Sequence, residues 1–261
     1  MEVIQEIAPA EQTSSKENIL ANPPGLILVF DNYRGPSPEQ QELALATMRL
    51  RAEIAALIYK SDLYSDDQRP DICCFAGEHR QGEPPGSRRV KSLLLELGIP
   101  EGKITTRETT ITTRWDMIAL HSLEKSKKDP RPLAIVTTDD HVPRTWEELK
   151  NHFNRHRATH GKRYQVPTLF VISPASKELD QLNVQGEPQL EMISKLRAQS
   201  PLLDHGLPEK AAYIISTKLR PILPVAEKLT HPYTPPRLER IKTILSKKPT
   251  TVGELSKLVK K

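Results

Sequence analysis

Residues 137–144, with the sequence TTDDHVPR, follow an apolar run and gather side chains that can move protons or bind charge. Histidine side chains have an unperturbed pKa of about 6.5, so His141 could act as an acid or a base near neutral pH. A histidine that only hydrogen-bonds the preceding loop would fit equally well. Arg144 follows Pro143, where a helix should begin, and could clamp a phosphate or carboxylate there. A salt bridge to a neighbouring acid is the alternative.

Two further groups in this part of the chain raise the question of a metal. Asp139 and Asp140 could hold magnesium, but an acidic pair at a helix start is also favourable by itself, and we prefer that interpretation. His152, His156 and His160 repeat every four residues, as zinc-binding pairs do. Because the surrounding segment is polar on all sides, a solvated helix face is the preferred interpretation. We predict no metal, and the sequence identifies no cofactor.

The elements that must position these side chains are indicated by apolar runs between turn residues, which predict buried strands. Five such runs cover residues 25–30, 71–77, 103–108, 131–138 and 166–173. Helical patterns lie between them, with Ser37 as the predicted N-cap of the first and Gly98 ending the second. This alternation predicts an α/β fold, a Rossmann-like three-layer sandwich with a mostly parallel five-stranded sheet and a helical C-terminal appendage.

In an open parallel sheet, ligands bind outside the carboxyl ends of the strands, so the residues after each predicted strand are the candidates. We assign catalytic roles to His141, as acid or base, and to Glu108, which would orient the substrate. The expected ligand-binding residues are Asp31, Gly77, Glu78, Ser87, Arg88, Thr113, Thr138, Asp139, Asp140 and Arg144. Thr113 could instead cap the next helix. The chain has no Walker motif and no glycine fingerprint after the first strand.

Several of these segments together resemble the YdcF-like family, the SanA and ElyC group of bacterial domains of unknown function. The most similar pieces are "LGIPEGKI" at 97–104, Glu108, Thr113, and "VTTDDH" at 136–141 with Arg144 at the family's spacing. The resemblance covers roughly residues 25–175. The segment "MRLRAEIAALIY" is similar to the family's first helix, with Arg49 at its usual place. The chain departs from the family pattern at Ala76 and Arg88, among other positions.

The resemblance implies a Rossmann-like fold and a polar or anionic ligand, without implying a settled reaction. We therefore expect a YdcF-like protein that acts on or binds a small phosphorylated or nucleotide-type molecule. If it is an enzyme, hydrolysis is the expected reaction. Two alternatives remain open. One is a module that binds a nucleoside-type ligand without turnover. The other is an interaction protein that docks through its basic C-terminal helices.

Charge and composition indicate how the chain is organised. We predict an N-terminal arm at 1–24, the α/β domain at 25–200, a helical extension and linker at 201–234, and a basic helical tail at 235–261. The tail has eight basic and two acidic residues, which gives it a net charge of +6. Because the whole chain has a net charge of +5, the remainder carries −1. The tail's end resembles the start of a winged helix without its recognition helix. We expect an acidic protein or surface as its partner, and no sequence-specific nucleic acid.

The expected compartment follows from what the sequence does not contain. No apolar run approaches the roughly 20 residues that cross a bilayer, and the N-terminus lacks a signal-peptide pattern. Cys73 and Cys74 are adjacent, which offers no disulfide framework and fits two small buried apolar side chains. We predict a cytoplasmic protein without a transmembrane anchor.

Overall fold

The computed structural model describes residues 18–30, 37–76, 84–108, 132–160, 167–183 and 189–200, and only the backbone of 154–160 and 189–190. All of them belong to one compact unit of the chain. Several predictions lie outside the described residues: the N-terminal arm, the helix between the third and fourth strands, everything after residue 200, and the site residues Asp31, Gly77, Glu78 and Thr113. Those predictions, and the domain boundaries, stay predictions.

The described residues form a five-stranded sheet in which every pairing is parallel, as the alternating pattern predicts. The strands are β1 (Leu26–Phe30), β2 (Asp71–Phe75), β3 (Ile104–Arg107), β4 (Leu133–Val136) and β5 (Leu169–Ile172), and their order in the sheet is β3-β2-β1-β4-β5. β1 lies at the centre, and all five of its residues are buried. Such strands consist of continuous apolar residues because both faces of a parallel sheet are covered.

The strands are shorter than the predicted runs by one to four residues, because regular pairing ends before the apolar pattern does. Thr137 still donates its N–H to the carbonyl of Ile172 at 2.9 Å, just beyond the end of β4. Ala76 does the same to Arg107 at 3.2 Å, just beyond β2. One hydrogen bond of this kind therefore follows the last paired residue of each of these two strands, where the loops with the candidate residues begin.

Among the described residues, four helices accompany the sheet: α1 (Pro38–Lys60), α2 (Gly86–Glu96), α3 (Val142–His160) and α4 (Gln189–Gln199). Ser37 caps α1 as predicted, since its hydroxyl accepts from the N–H of Gln40 at 3.2 Å while the Gln40 side chain accepts from the N–H of Ser37. Gly98 follows α2 with a φ of +80°, a conformation that favours glycine. The described part of the chain contains no helix long and apolar enough to cross a membrane.

The helices cover both faces of the sheet, so that two apolar clusters form. The larger cluster joins one face to α1, α2 and α4, and the smaller joins the other face to α3 through Leu149 and Phe153. Cys74 lies in the larger cluster and Cys73 in the smaller, and neither is exposed at all. Adjacent strand residues point to opposite faces, so these cysteines are core side chains, as predicted.

Candidate functional site

The order of the strands defines where a ligand crevice should lie. From β1 the chain passes to β2 and then β3 on one side, whereas β4 and β5 lie on the other side of β1. The connections therefore leave the carboxyl ends of β1 and β4 in opposite directions. This switch point is where open α/β sheets bind ligands.

A buried arginine, Arg51, joins the ends of β1 and β4 at this switch point. It projects from α1, and only 1% of its surface is exposed. Its Nη1 donates to the carbonyl oxygen of Phe30, the last residue of β1, at 3.0 Å, and its Nη2 donates to Oγ1 of Thr138, after β4, also at 3.0 Å. A buried guanidinium is costly to desolvate, so these bonds across the crevice are part of what makes its position tolerable.

The sequence analysis named a different arginine of α1, Arg49, for its resemblance to a family helix and not as a site residue. Arg49 is exposed, and its Nε lies 3.3 Å from Oε1 of Glu53. Arg51 was missed although a signal was present. It lies on the same helical stripe as Met48, Ala55 and other buried residues, and a charged residue on such a stripe must find polar partners inside.

His141 lies beside the crevice in the short 3₁₀ turn that follows Thr138. It is 8% exposed, and its Nδ1 lies 2.9 Å from the hydroxyl of Thr137 and 3.1 Å from that of Thr145. Both threonines are fully buried. The ring is therefore fixed by one hydroxyl from the end of β4 and one from the first turns of α3. Its proximity to Thr138 agrees with the predicted grouping of these residues.

The neighbouring acid Asp139 binds two segments that come later in the chain. Its Oδ1 accepts from the N–H of Ala175 at 3.1 Å, in the loop after β5, and its Oδ2 accepts from the hydroxyl of Ser200, just after α4. Both carboxylate oxygens thus hold parts of the fold together. Asp140 is half-buried beside it, and Arg144 is half-buried in the first turn of α3. Within the described residues, no three acids, histidines or cysteines form a metal-binding group.

Two predicted site residues, Arg88 and Glu108, bind each other. Nε and Nη2 of Arg88 donate to the two carboxylate oxygens of Glu108 at 2.7 and 2.9 Å, which joins the start of α2 to the end of β3. This fork geometry is the strongest arrangement of such a pair. The hydrogen bonds from Arg88 hold the pKa of Glu108 below its usual value. A carboxylate with a lowered pKa binds a proton weakly, which argues against a general base here.

Ser87, another predicted ligand-binding residue, lies at the carboxyl end of β2. It is fully buried, and its N–H donates to the carbonyl of Ala76 at 3.4 Å. Its hydroxyl has no hydrogen-bond partner among the described residues. The structure therefore brings Ser87 to the strand ends, as predicted, but beneath the surface rather than open to solvent.

One histidine of the predicted stripe, His152, is buried and not solvated, while the side chains of His156 and His160 lie outside the described part of the chain. The backbone stays helical through His160, and His152 is only 8% exposed. Glu148, one turn earlier, is 6% exposed. Together with His141 and Thr145 they form a polar line along the buried side of the helix. The sequence around His152 is mostly polar, so the sequence pattern did not indicate that this side chain is buried.

The Arg88–Glu108 bridge should contribute little to stability, and only above acidic pH. The pair is 62% and 34% exposed, so we expect Glu108→Gln to lower the free energy of unfolding by about 0.5–1 kcal/mol at pH 7. Since the folded-state pKa of Glu108 is lowered, this contribution is present above the unfolded pKa of about 4.3 and is lost as pH falls through the folded pKa. Urea unfolding at pH 7 and pH 3 measures it.

The control for this prediction is Glu96→Gln, which removes an exposed acid from the end of α2. It should change the free energy of unfolding by less than about 0.5 kcal/mol at both pH values. A cost for Glu108→Gln that persists unchanged at pH 3 would show that the side chain matters for a reason other than its charge.

Comparisons of the chain with models of known protein families, with curated proteins and with solved structures find no significant match. The fold class of this protein is therefore assigned from its strands and helices alone. The described residues form an α/β protein with a five-stranded parallel sheet between layers of helices. The candidate site is the switch point itself, where Arg51 bonds to Phe30 and Thr138 and where His141 follows in the loop after β4.

Proposed function

We propose that this protein binds a small phosphorylated or nucleotide-type ligand in the crevice between the carboxyl ends of β1 and β4, and acts on it there. The observation that carries the proposal is the guanidinium of Arg51, which bonds to Phe30 on one wall and Thr138 on the other. Arg51 places a positive charge at the strand ends that it joins, and positive charge there favours a negatively charged ligand. The ligand best suited to such a crevice is an anion.

The loop after β4 supports the same chemistry. It leads from Thr138 through one 3₁₀ turn directly into α3, whose N-terminal end carries a partial positive charge. Arg144 belongs to the first turn of that helix and would supply a planar donor for a phosphate. The resemblance to the YdcF-like family rests in part on this same loop.

Binding without turnover is the second candidate, and one observation favours it. Glu108, predicted to orient a substrate, is held by both donors of Arg88, and its pKa is lowered. Neither residue of that pair then serves the ligand in this arrangement. A protein that only senses or carries a nucleotide-type molecule would need Arg51, Arg144 and the β4 loop, and would not need Glu108.

A thermal-shift screen against nucleotides, sugar nucleotides, S-adenosylmethionine and inorganic phosphate tests the proposal. A ligand that binds only the folded state should stabilise the wild-type chain by about 2.7 kcal/mol at 100 times its dissociation constant. We expect Arg144→Ala to lose that stabilisation. Arg49→Ala, which removes an exposed arginine from α1, is the matched control and should keep it.

Each outcome separates the two candidates or rejects both. A hit that disappears in Arg144→Ala and is converted to product supports an enzyme, while a hit without product supports the binding module. A shift that is equal in wild type and Arg144→Ala would place the ligand elsewhere. If no anion in the screen stabilises the chain, the crevice does not have the proposed function.

A further inference from the structure

The N-terminal end of α2 differs from that of α1 in the side chains that complement its charge. In α1, the hydroxyl of Ser37 accepts a backbone N–H, and the acid Glu39 lies in the first turn. In α2, the N-cap residue is Pro85, which makes no side-chain cap, and the first turn contains no acid. The start of a helix has a partial positive charge and N–H groups without partners inside the helix. The start of α2 therefore has neither of the two side-chain features that stabilise the start of α1.

Hydrogen bonds hold this end of α2 against the carboxyl ends of β2 and β3. The N–H of Ser87 donates to the carbonyl of Ala76 at 3.4 Å, and the N–H of Ala76 donates to that of Arg107 at 3.2 Å. Both donors of Arg88 reach the carboxylate of Glu108, just after β3, at 2.7 and 2.9 Å. The start of α2 thus lies at the edge of the sheet where α/β proteins bind ligands, on the side of β2 and β3.

The hydroxyl of Ser87 is the feature that points to a ligand at this end. Ser87 is 0% exposed, and its hydroxyl has no hydrogen-bond partner among the described residues. It is the second residue of α2, and Cα–Cβ bonds in a helix tilt toward the N-terminus, so its hydroxyl lies toward the uncapped end. Pro84 and Arg88 nearby are exposed, so the hydroxyl is buried close to the surface. Because a buried donor without a partner costs stability, an acceptor from a ligand would be favourable here.

We propose that the start of α2 is a binding site for a small oxyanion, such as a phosphoryl group, and that Ser87 donates its hydroxyl to it. The hydroxyl supplies a hydrogen bond, and the helix end supplies a favourable potential. The N–H groups of Ser87 and Arg88 donate to the carbonyls of Ala76 and Pro85, so the hydroxyl is the donor that these contacts leave unused. This site is distinct from the crevice between β1 and β4, and the inference does not depend on the proposed function.

Glu108 competes with that anion in the ligand-free chain. Its carboxylate is itself an oxyanion, and it takes two donors of Arg88, which belongs to the first turn of α2. The two side chains are 62% and 34% exposed, so water screens the pair and their bond is readily exchanged for another. An anion at the start of α2 would draw Arg88 away from Glu108. Arg88 is then a second donor to the anion, and Glu108 is an internal competitor for it.

The site is tested by titrating the full-length ¹⁵N-labelled chain with inorganic phosphate and following the backbone amide signals of residues 86–88. We expect saturable shifts in the wild type. Ser87→Ala should bind phosphate at least about tenfold more weakly, because a hydrogen bond to a charged group is lost. Without phosphate, Ser87→Ala should melt at the same temperature as the wild type or higher, since it removes only an unpartnered hydroxyl. The absence of shifts at α2, an unchanged affinity in Ser87→Ala, or a lower melting temperature without phosphate would overturn the proposal.

Glu108→Gln tests the competition, because it should change the affinity in the opposite direction. We expect it to bind phosphate about three- to fivefold more tightly than the wild type, since Arg88 is held less firmly. Glu96→Gln removes the same charge from the far end of α2 and should change the affinity by less than about twofold. A weaker affinity in Glu108→Gln, or an equal gain in both variants, would overturn the role of Glu108. Shifts confined to the loop after β4 would support the crevice of the proposed function and reject the site at α2, so the two proposals fail separately.

Discussion

Replacing Arg51 with methionine is expected to lower the free energy of unfolding by about 3 kcal/mol and to remove the stabilisation by ligand. Methionine fills a similar volume but donates no hydrogen bond, so the carbonyl of Phe30 and the hydroxyl of Thr138 lose their donor in a buried place. Each buried group that loses its partner costs about 1–3 kcal/mol. Arg51→Lys should restore little, because an ammonium group is a single point that cannot span two acceptors as a planar guanidinium does.

Urea unfolding with and without the ligand from the screen measures both effects. Arg49→Met is the matched control on the same helix, and because Arg49 is exposed it should cost less than about 0.5 kcal/mol. Combining Arg51→Met with Thr138→Val isolates the contact between the two side chains, and the double variant should cost less than the sum of the single ones. An Arg51→Met chain that is as stable as wild type and still responds to ligand would remove the basis of the proposed function.

Replacing Phe30 with alanine is expected to cost about 3–5 kcal/mol, the largest effect that we predict. Phe30 is 2% exposed, and its ring meets that of Phe75 edge to face, with 5.7 Å between centroids and 73° between planes. Both rings belong to the smaller apolar cluster, against α3. The loss combines the burial of a large ring with the cavity that its removal leaves, because a central strand cannot shift to fill it.

The measurement is again the free energy of unfolding, with Phe30→Leu as the graded control. Leucine keeps most of the apolar volume and should cost less than half as much as alanine. The backbone carbonyl that accepts from Arg51 is still present in both variants. A cost below about 1 kcal/mol for Phe30→Ala would mean that the site collapses around the gap or that the ring is not packed as described.

The fold was largely predictable because its signals are local. A buried parallel strand needs apolar residues on both faces, so runs such as "LILVF" and "DICCF" stand out between polar turns. The cap of α1 at Ser37 and the end of α2 at Gly98 depend on residues within a few positions of each other. The order of the strands was not predicted, because it depends on which distant segments pair, and no local pattern records that.

The candidate site was predictable only where its residues follow a strand directly. Thr138 and His141 lie beside the crevice because the loop after β4 must begin there. Arg51 reaches the same place from the middle of a helix, 87 residues before its partner Thr138, and nothing near it in sequence names that partner. Hydrogen bonds between side chains that are distant in the sequence could not be predicted from the sequence.

The same limit explains the two pairings that the sequence analysis did not foresee. Arg88 and Glu108 were both expected to face a ligand, and each proved to have the other within reach across 20 residues. Asp139 was expected in the site, but it holds Ser200, 61 residues later in the chain. Side chains of opposite charge, or a donor and an acceptor, bind each other where the fold brings their polar atoms within about 3 Å. A ligand must then compete with these partners.

The position of Arg51 has a consequence for when, during folding, the proposed ligand site is formed. β1, α1, β2 and β3 precede β4 in the chain, and they could pair and pack before β4 joins the sheet. Such a half-assembled chain would have one wall of the proposed crevice, and its guanidinium would lack the bond to Thr138. Detaching β4 and β5 from the edge of the mature sheet would have the same effect while the other three strands stay paired. A ligand that contacts both walls would therefore bind only the chain in which β4 and β5 have joined the sheet. Such a ligand would shift the folding equilibrium toward that state.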